Sequence, residues 1–324
     1  MSAPLAVGSI SLRLYPPALD DPTRVLDELI GQAVLADRHG FDGVMLSERH
    51  GGAWGQIPNP LQAAGWLLAA MHSGWVAPCP ILLPFRQPAV VAEELAWLAA
   101  RFPGRVAAGF GSGGNESDFV AMGVPFDERA VRFDTALRAV VEILRPGPTP
   151  GRLGGDRAIA RVRERGLPLL SAVMSAAAAR RAAQLGLGLI GSSLLDDTTT
   201  RRHVDMFHAS GGTGPHVVIV RVWLGDPPWQ LIGRQLAEYR HAPDATTTAT
   251  AGADTDTPLY DTDAAALATR LVERLRATKA DAVNVRVHVA GLDPAIARDQ
   301  LTSIGTEVVP IVRRMWQPSR VPPT

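Results

Sequence analysis

The chain has 324 residues with 32 basic and 32 acidic side chains, so its formal net charge is zero and no global field recruits nucleic acid or an anionic membrane. Hydrophobic residues make up 46%, yet no apolar run approaches the roughly 20 residues of a membrane span and no basic leader opens the chain, which sets the expectation of a soluble, cytoplasmic protein with a small-molecule substrate. One cysteine, Cys79, excludes an internal disulfide framework and any multi-thiolate metal site.

Strand-like and helix-like periodicities alternate along the whole chain. Val7 to Leu14 alternates with period two, setting Ser9, Ser11 and Arg13 on one face and Ile10, Leu12 and Leu14 on the other. Asp21 caps a helix with Pro22 in its first turn. A second strand ends at Glu48, and a helix follows from about Pro60 to Met71. The third strand, "VAPCPILLPF", contains Pro78 and Pro80. Proline lacks an amide donor and is foreign to a central strand, so the Cys79–Pro80 step is either a cis bond or a trans proline at a bulge. A helix through Val91, Leu95, Leu98 and Phe102 stops at Pro103 and Gly104, and "RVAAGFG" makes the fourth strand. Then come a glycine-rich loop, a helix capped by Asp127 and running to Leu144, and a Pro/Gly-rich connector over 146–156.

The second half keeps the rhythm with strands "LPLLSA", "LGLI", "HVVIVRVWL" and "DAVNVRVHV", and with helices after Ser175, from Asp197, from Asp263 and from Asp293. Eight strands separated by helices imply an α/β fold of the (β/α)8 TIM-barrel type, and no G-x-G-x-x-G follows the first strand to favour an open dinucleotide sheet. The expected organisation is a single barrel domain over 1–316, with a flexible loop at about 241–262 that is either a surface loop or a lid, and a disordered tail over 317–324.

Active sites of such barrels lie at the C-terminal strand ends. Those ends collect Arg13, Glu48-Arg49-His50, Cys79-Pro80, Gly109 to Gly114, Ala172 to Ser175, Arg221, and Arg286 with His288. Period two puts Asn284, Arg286 and His288 on the lumen face of strand eight beside Arg13 of strand one. Two readings stand for this side of the lumen, with Arg13, Arg286 and His288: buried arginines that pair with Glu48 and fill the interior, or recognition of an anionic or oxygen-rich substrate. Ser175 is either a plain helix cap or part of a phosphate site at a helix N-terminus. No metal constellation and no G-x-S-x-G elbow appear, which leaves the hard chemistry to an organic cofactor.

The segments "GFDGVMLSERHGG", "PCPILLPFRQPAVVAEELAWLAARFPGRVAAGFGSG", "DFVAMGVPFDERAVRFDTALRAV", "LSAVMSAAAARRAAQLGLGLI" and "NVRVHVAGLDP", in this order over about 8–313, resemble the bacterial luciferase-like flavin monooxygenases and their deazaflavin-dependent relatives. The resemblance implies a barrel that binds reduced FMN, or the deazaflavin coenzyme as the alternative, with the ring at the mouth against Cys79 and Pro80. It implies a phosphate contact at Ser175, flanked by Met174 and Ala176, beside the loop of Gly111, Ser112 and Gly113. Met174 stands where the luciferases have a glutamate and Ser112 where an arginine is frequent, which turns attention to Arg152 and Arg180 for the phosphate. Arg49 and His50 occupy the place of an adjacent histidine pair, so His50, with Glu48 and Arg49, is the candidate for proton transfer or else a structural partner of Glu48. The implied activity is that of a two-component monooxygenase, a homodimer that takes reduced FMN from a separate flavin reductase. Deazaflavin-dependent hydride transfer and non-catalytic flavin binding are the alternatives.

Overall fold

Each βα unit of the sequence folds back onto its predecessor, and the strands form one parallel sheet. The computed structural model describes residues 2–52, 55, 57–147, 151–241 and 256–318. Its strands are β1 (Ile10–Arg13), β2 (Gly43–Leu46), β3 (Trp75–Pro78), β4 (Ile81–Leu82), β5 (Ala108–Gly111), β6 (Leu169–Ala172), β7 (Gly188–Ile190), β8 (His216–Leu224), β9 (Leu259–Asp261) and β10 (Ala282–Arg286). The order is β3-β2-β1-β10-β8-β7-β6-β5-β4, with β9 added to the upper end of β8. The ring closes where Val76 of β3 bridges Val106 ahead of β5. Eight barrel positions result because β3 and β4 are two halves of one expected strand, separated by a cis Cys79–Pro80 bond.

The helices are α1 (Pro22–Arg38), α2 (Pro60–Ala70), α3 (Pro88–Arg101), α4 (Glu116–Met122), α5 (Arg129–Leu144), α6 (Arg157–Arg165), α7 (Ala176–Gln184), α8 (Asp197–Ala209), α9 (Trp229–His241), α10 (Ala264–Ala277), α11 (Pro294–Ser303) and α12 (Val309–Met315). Side chains of Asp21, Asn59, Asp156, Ser175, Asp196, Asp263 and Asp293 accept from first-turn amides of the helices they precede. Each such cap is worth about 1 kcal/mol. The expected cap at Asp127 is not used: the helix begins two residues later, after Glu128, and no side chain caps it. Helices α4, α6 and α9 and strand β9 are additions to the expected set. Within 241–262, residues 242–255 lie outside the described residues; Asp256 is buried and β9 joins the sheet. Residues 319–324 of the expected tail also lie outside the described part.

Two apolar layers hold the barrel. Val283, Val285 and Val287 pack outward with Leu271 and Val308 of the surrounding helical shell. Met45, Trp75, Ala77, Leu170, Val217 and Ile219 fill the lumen. Full burial of one large aliphatic or aromatic side chain stabilises by about 1.5–3 kcal/mol, so the filled lower lumen makes a stiff base for the mouth. On the β1–β10 side the lumen is polar, as the alternation requires: Asn284 Nδ2 donates to Ser11 Oγ at 2.9 Å, and Ser11 Oγ donates to the Val283 carbonyl.

Candidate active site

The third barrel position is built around the proline. The Cys79 amide donates to the Leu46 carbonyl at 2.7 Å, and the Glu48 amide donates to the Pro80 carbonyl at 3.1 Å. Arg13 Nη2 donates to the Cys79 carbonyl at 3.0 Å, and the Leu82 amide donates to Glu48 Oε2 at 2.9 Å. Residues of β1 and β2 thus satisfy the backbone on both sides of the break, which buried polar groups require. The facing strand makes room. A Cβ on Gly109 would stand 2.0 Å from Cys79 Sγ, and one on Gly111 would stand 2.9 Å from Pro80 Cβ. Two glycines of "GFGSGG" therefore serve the packing of Cys79 and Pro80.

Above Pro80 opens a cavity of about 270 Å3. One wall is Arg13, Tyr15 and Arg286; the other comes from Ala172 to Met174, Ile190 to Leu194, and Ile219. Arg286 belongs to a buried cluster: its Nη1 lies 3.2 Å from Asp256 Oδ2 and its Nη2 3.1 Å from Gln235 Oε1. Arg221 Nη2 reaches the same oxygens at 2.6 and 2.9 Å. Burial pushes the Asp256 carboxyl up, but the guanidiniums of Arg286 and Arg221 outweigh it and hold its pKa below the ordinary range. Sequence reasoning missed Tyr15. Its signal was the step "YPP", since a residue before proline is held extended and here continues β1 into the mouth.

Glu48, Arg49 and His50 lie together but outside the lining of this cavity. His50 Nε2 sits 2.9 Å from Glu48 Oε1, and Arg86 Nε lies 3.1 Å from both Glu48 oxygens. Arg49 Nε stands 3.0 Å from Asp118 Oδ2, and the His50 amide donates to Asp118 Oδ1. The ring of His50 meets Phe85 edge-on at 5.4 Å. Of these groups Glu48 holds the proline step directly, by its amide to Pro80 and its carboxylate to the Leu82 amide. His288 is also set apart: it lies two residues past the end of β10 at Arg286, and its Nε2 sits 2.6 Å from Gln32 Oε1 of α1. Burial, then the charge of Arg286, push its pKa down to about 3.

On the opposite side Gly111, Ser112 and Gly113 leave β5 beside the end of β6, whose Ser171 pairs with Phe110. Ser175 caps α7 by accepting from the Ala178 amide at 3.2 Å, and Ser175 and Met174 are exposed. The amides of Ala176 and Ala177 are the first of the helix and have no intrahelical acceptor. Arg180 points along α8, with its Nη1 3.5 Å from Met206 Sδ. Arg152 sits in the short 3-10 turn Gly151–Gly155. Among the described residues no group of three His, Cys, Asp or Glu side chains is placed to hold a metal ion.

The family model of the luciferase-like monooxygenases matches residues 7–284. The alkanal monooxygenase alpha chain of Photorhabdus luminescens is 26% identical over 215 residues, covering 62% of this chain and 57% of that protein. The F420-dependent glucose-6-phosphate dehydrogenase of Microbacterium testaceum is 34% identical over 122 residues, 36% of each chain. The chain thus spans less than two thirds of the length of these curated relatives. Among solved structures, the oxygenating constituent of 3,6-diketocamphane monooxygenase from Pseudomonas putida, in complex with FMN, superposes with a TM-score of 0.75 at 20% identity, covering 96% of this chain and 100% of that one. At that identity the likeness concerns the fold.

Proposed function

Because this chain belongs to the luciferase-like monooxygenase family, we propose that it is a flavin-dependent oxidoreductase, a two-component monooxygenase that receives reduced FMN from a separate reductase and uses O2 on a small organic substrate. The observation that carries this reading is the cavity whose floor is Pro80 and whose far rim leads to the open N-terminus of α7. Its volume, about 270 Å3, falls just under the roughly 300–1,000 Å3 of whole-ligand sites, which suits the ring of a flavin whose tail runs outward along the rim. Cys79 and Pro80 would meet the ring, and Gly111, Ser112 and Gly113 would lie beside it. The amides of Ala176 and Ala177, with the Ser175 hydroxyl and the flanking Met174, would take the phosphate.

A bound flavin supplies the electron transfer that no side chain here provides. The chain's own residues do the rest. Glu48, with Arg86 and His50 on its carboxylate, holds the backbone of residues 80–82, and Arg49 beside it pairs with Asp118. Arg13 and Arg286 present guanidiniums to an oxygen-bearing substrate, and the apolar wall of Ile190 and Ile219 excludes water. A second reading, the deazaflavin coenzyme, is favoured by the lack of a charged side chain at Ser112 and Met174 and by the F420-dependent relative.

Titrating the protein with FMN, photoreduced FMN and the deazaflavin tests the proposal: tightest binding by reduced FMN, weakened at least tenfold by Gly111→Val, supports it. Preference for the deazaflavin installs the second reading, and failure of all three to bind removes both. The proposed partners also include a second copy of the chain, paired through the α1–α2 face, where Trp66 is 41% exposed beside an apolar hollow of about 600 Å3. A monomeric mass in sedimentation at micromolar concentration would dismiss that pairing.

A further inference from the structure

Proton handling at the mouth needs a group that faces the cavity and exchanges a proton within the working pH range. His50, the candidate for proton transfer in the sequence, is turned to Glu48 and does not line the cavity. Among the described lining side chains the titratable ones are Arg13, Arg286 and Tyr15, and arginine does not deprotonate in proteins. That leaves the phenol.

The surroundings of Tyr15 are unusual for a half-buried tyrosine. The guanidinium carbon of Arg286 stands 5.0 Å from the centre of its ring and that of Arg13 5.9 Å. Arg13 Nε lies 3.4 Å from Tyr15 Oη. Arg13 itself is only 4% exposed and bonds neutral acceptors, the Cys79 carbonyl, Asn284 Oδ1 and the phenol; among the described residues it forms no ion pair. A buried cation without a carboxylate partner favours negative charge on its neighbours. Among the described residues the other charged or titratable groups around Tyr15 are Asp256, which opposes phenol ionisation, and His288, whose ring centre lies 6.2 Å away and whose imidazole is neutral at pH 7. On its other side Gly55 gives the ring room, since a Cβ there would stand 3.1 Å from Tyr15 Cδ1. Burial pushes the phenol pKa up, yet Arg286 and Arg13 together bring it below its ordinary value.

We infer that Tyr15 is the proton-exchange group of this mouth, with its phenolate held by Arg13 and Arg286, and that the wall they form takes a ligand oxygen that carries or develops negative charge, as in a carboxylate, enolate or phenolate. In the exchange the Tyr15 O–H bond breaks as an O–H bond forms on the ligand oxygen. The charge left on the phenolate rests between the guanidiniums, and the proton is restored from bulk water. No electrons are transferred in this step. The inference deepens the proposed reaction site and rests on that reading for its use, but its test needs no flavin.

The test is an ultraviolet difference titration of tyrosinate in the full-length chain. There are three tyrosines. The wild type should release about a third of the total signal in an early step, below the pKa of about 10 of a free phenol. Tyr15→Phe should lack that step. Arg286→Lys should leave the step early, and Arg286→Met should move it up. Far-ultraviolet circular dichroism checks the fold of each variant, and if Arg286→Met does not fold, the difference between wild type and Tyr15→Phe still decides. An early step that survives in Tyr15→Phe, or a wild type whose three phenols titrate together, overturns the inference. FMN binding without an early phenol would leave the flavin reading standing and remove this one; an early phenol without FMN binding does the reverse.

Discussion

Replacing Gly109 by alanine sets a methyl carbon 2.0 Å from the sulfur of Cys79 and 3.0 Å from its Cβ. Ordinary contact begins near 3.4 Å, so the pair must separate by more than an ångström in a fully packed lumen where Cys79 is 0% exposed. Overpacking of this kind costs typically 1–3 kcal/mol, and the size of the overlap places Gly109→Ala at about 3 kcal/mol. With a melting shift of about 2 °C per kcal/mol for a chain of this size, the variant should melt about 6 °C lower. Cys79→Ala removes the sulfur and alone should cost about 1 kcal/mol of lost burial. In the double variant the shortest contact becomes the 3.0 Å one, and most of the overlap is gone. The pair should therefore couple by about 2 kcal/mol in a double-mutant cycle read by equilibrium urea unfolding. Strict additivity, with the double variant as unstable as the two single costs together, would refute the claim that Gly109 is glycine because of Cys79.

Other outcomes follow from the buried charges. Truncating Glu48 to alanine leaves Arg86 without its carboxylate and the Leu82 amide without an acceptor, a loss of about 3–5 kcal/mol in urea unfolding. Glu48→Gln keeps an acceptor and should lose less than half as much; equal losses would show that the carboxylate charge is idle. His216, at the lower end of β8 near Asp281, His208 and His203, is held neutral by burial, which pushes its pKa down to about 4. The unfolded chain binds that proton from pH 6.5 downward while the folded chain does not, so stability falls by about 3 kcal/mol as pH drops from 6.5 to 4. His288, lowered to about 3, adds to the loss in the same window. The urea midpoint should fall steeply across this range, less steeply in His216→Gln, and a flat midpoint would contradict the burial argument.

Much of the barrel is local information. The cap residues and the outward valines of β10 obey spacings that one segment carries by itself, so they are legible without a structure. The break at Pro80 is legible for the same reason, since a proline inside a strand needs an explanation wherever it occurs. The site is less legible because its contacts join distant segments. Nothing in "GFGSGG" itself shows that Gly109 and Gly111 also make room for Cys79 and Pro80, which only the fold brings against them. Glu48 and His50 are close in sequence, whereas their bonds to Arg86 and Asp118 join segments that only the folded chain brings near. His288 lies two residues past the end of β10 and meets Gln32 of α1, a contact between distant segments. Asp256 could not be foreseen as the counter-ion of Arg221 and Arg286, since nothing in its own neighbourhood marks it for burial.

The sulfur wedged against Gly109 also has a practical side. Burial pushes the Cys79 thiol up to about 12, so at neutral pH it holds its proton, and no solvent reaches it. A chain proposed to meet oxygen thus keeps its one oxidisable thiol inert while the barrel is shut. Alkylating reagents can label it only through opening of the lumen, which turns a single native atom into a built-in clock for that motion.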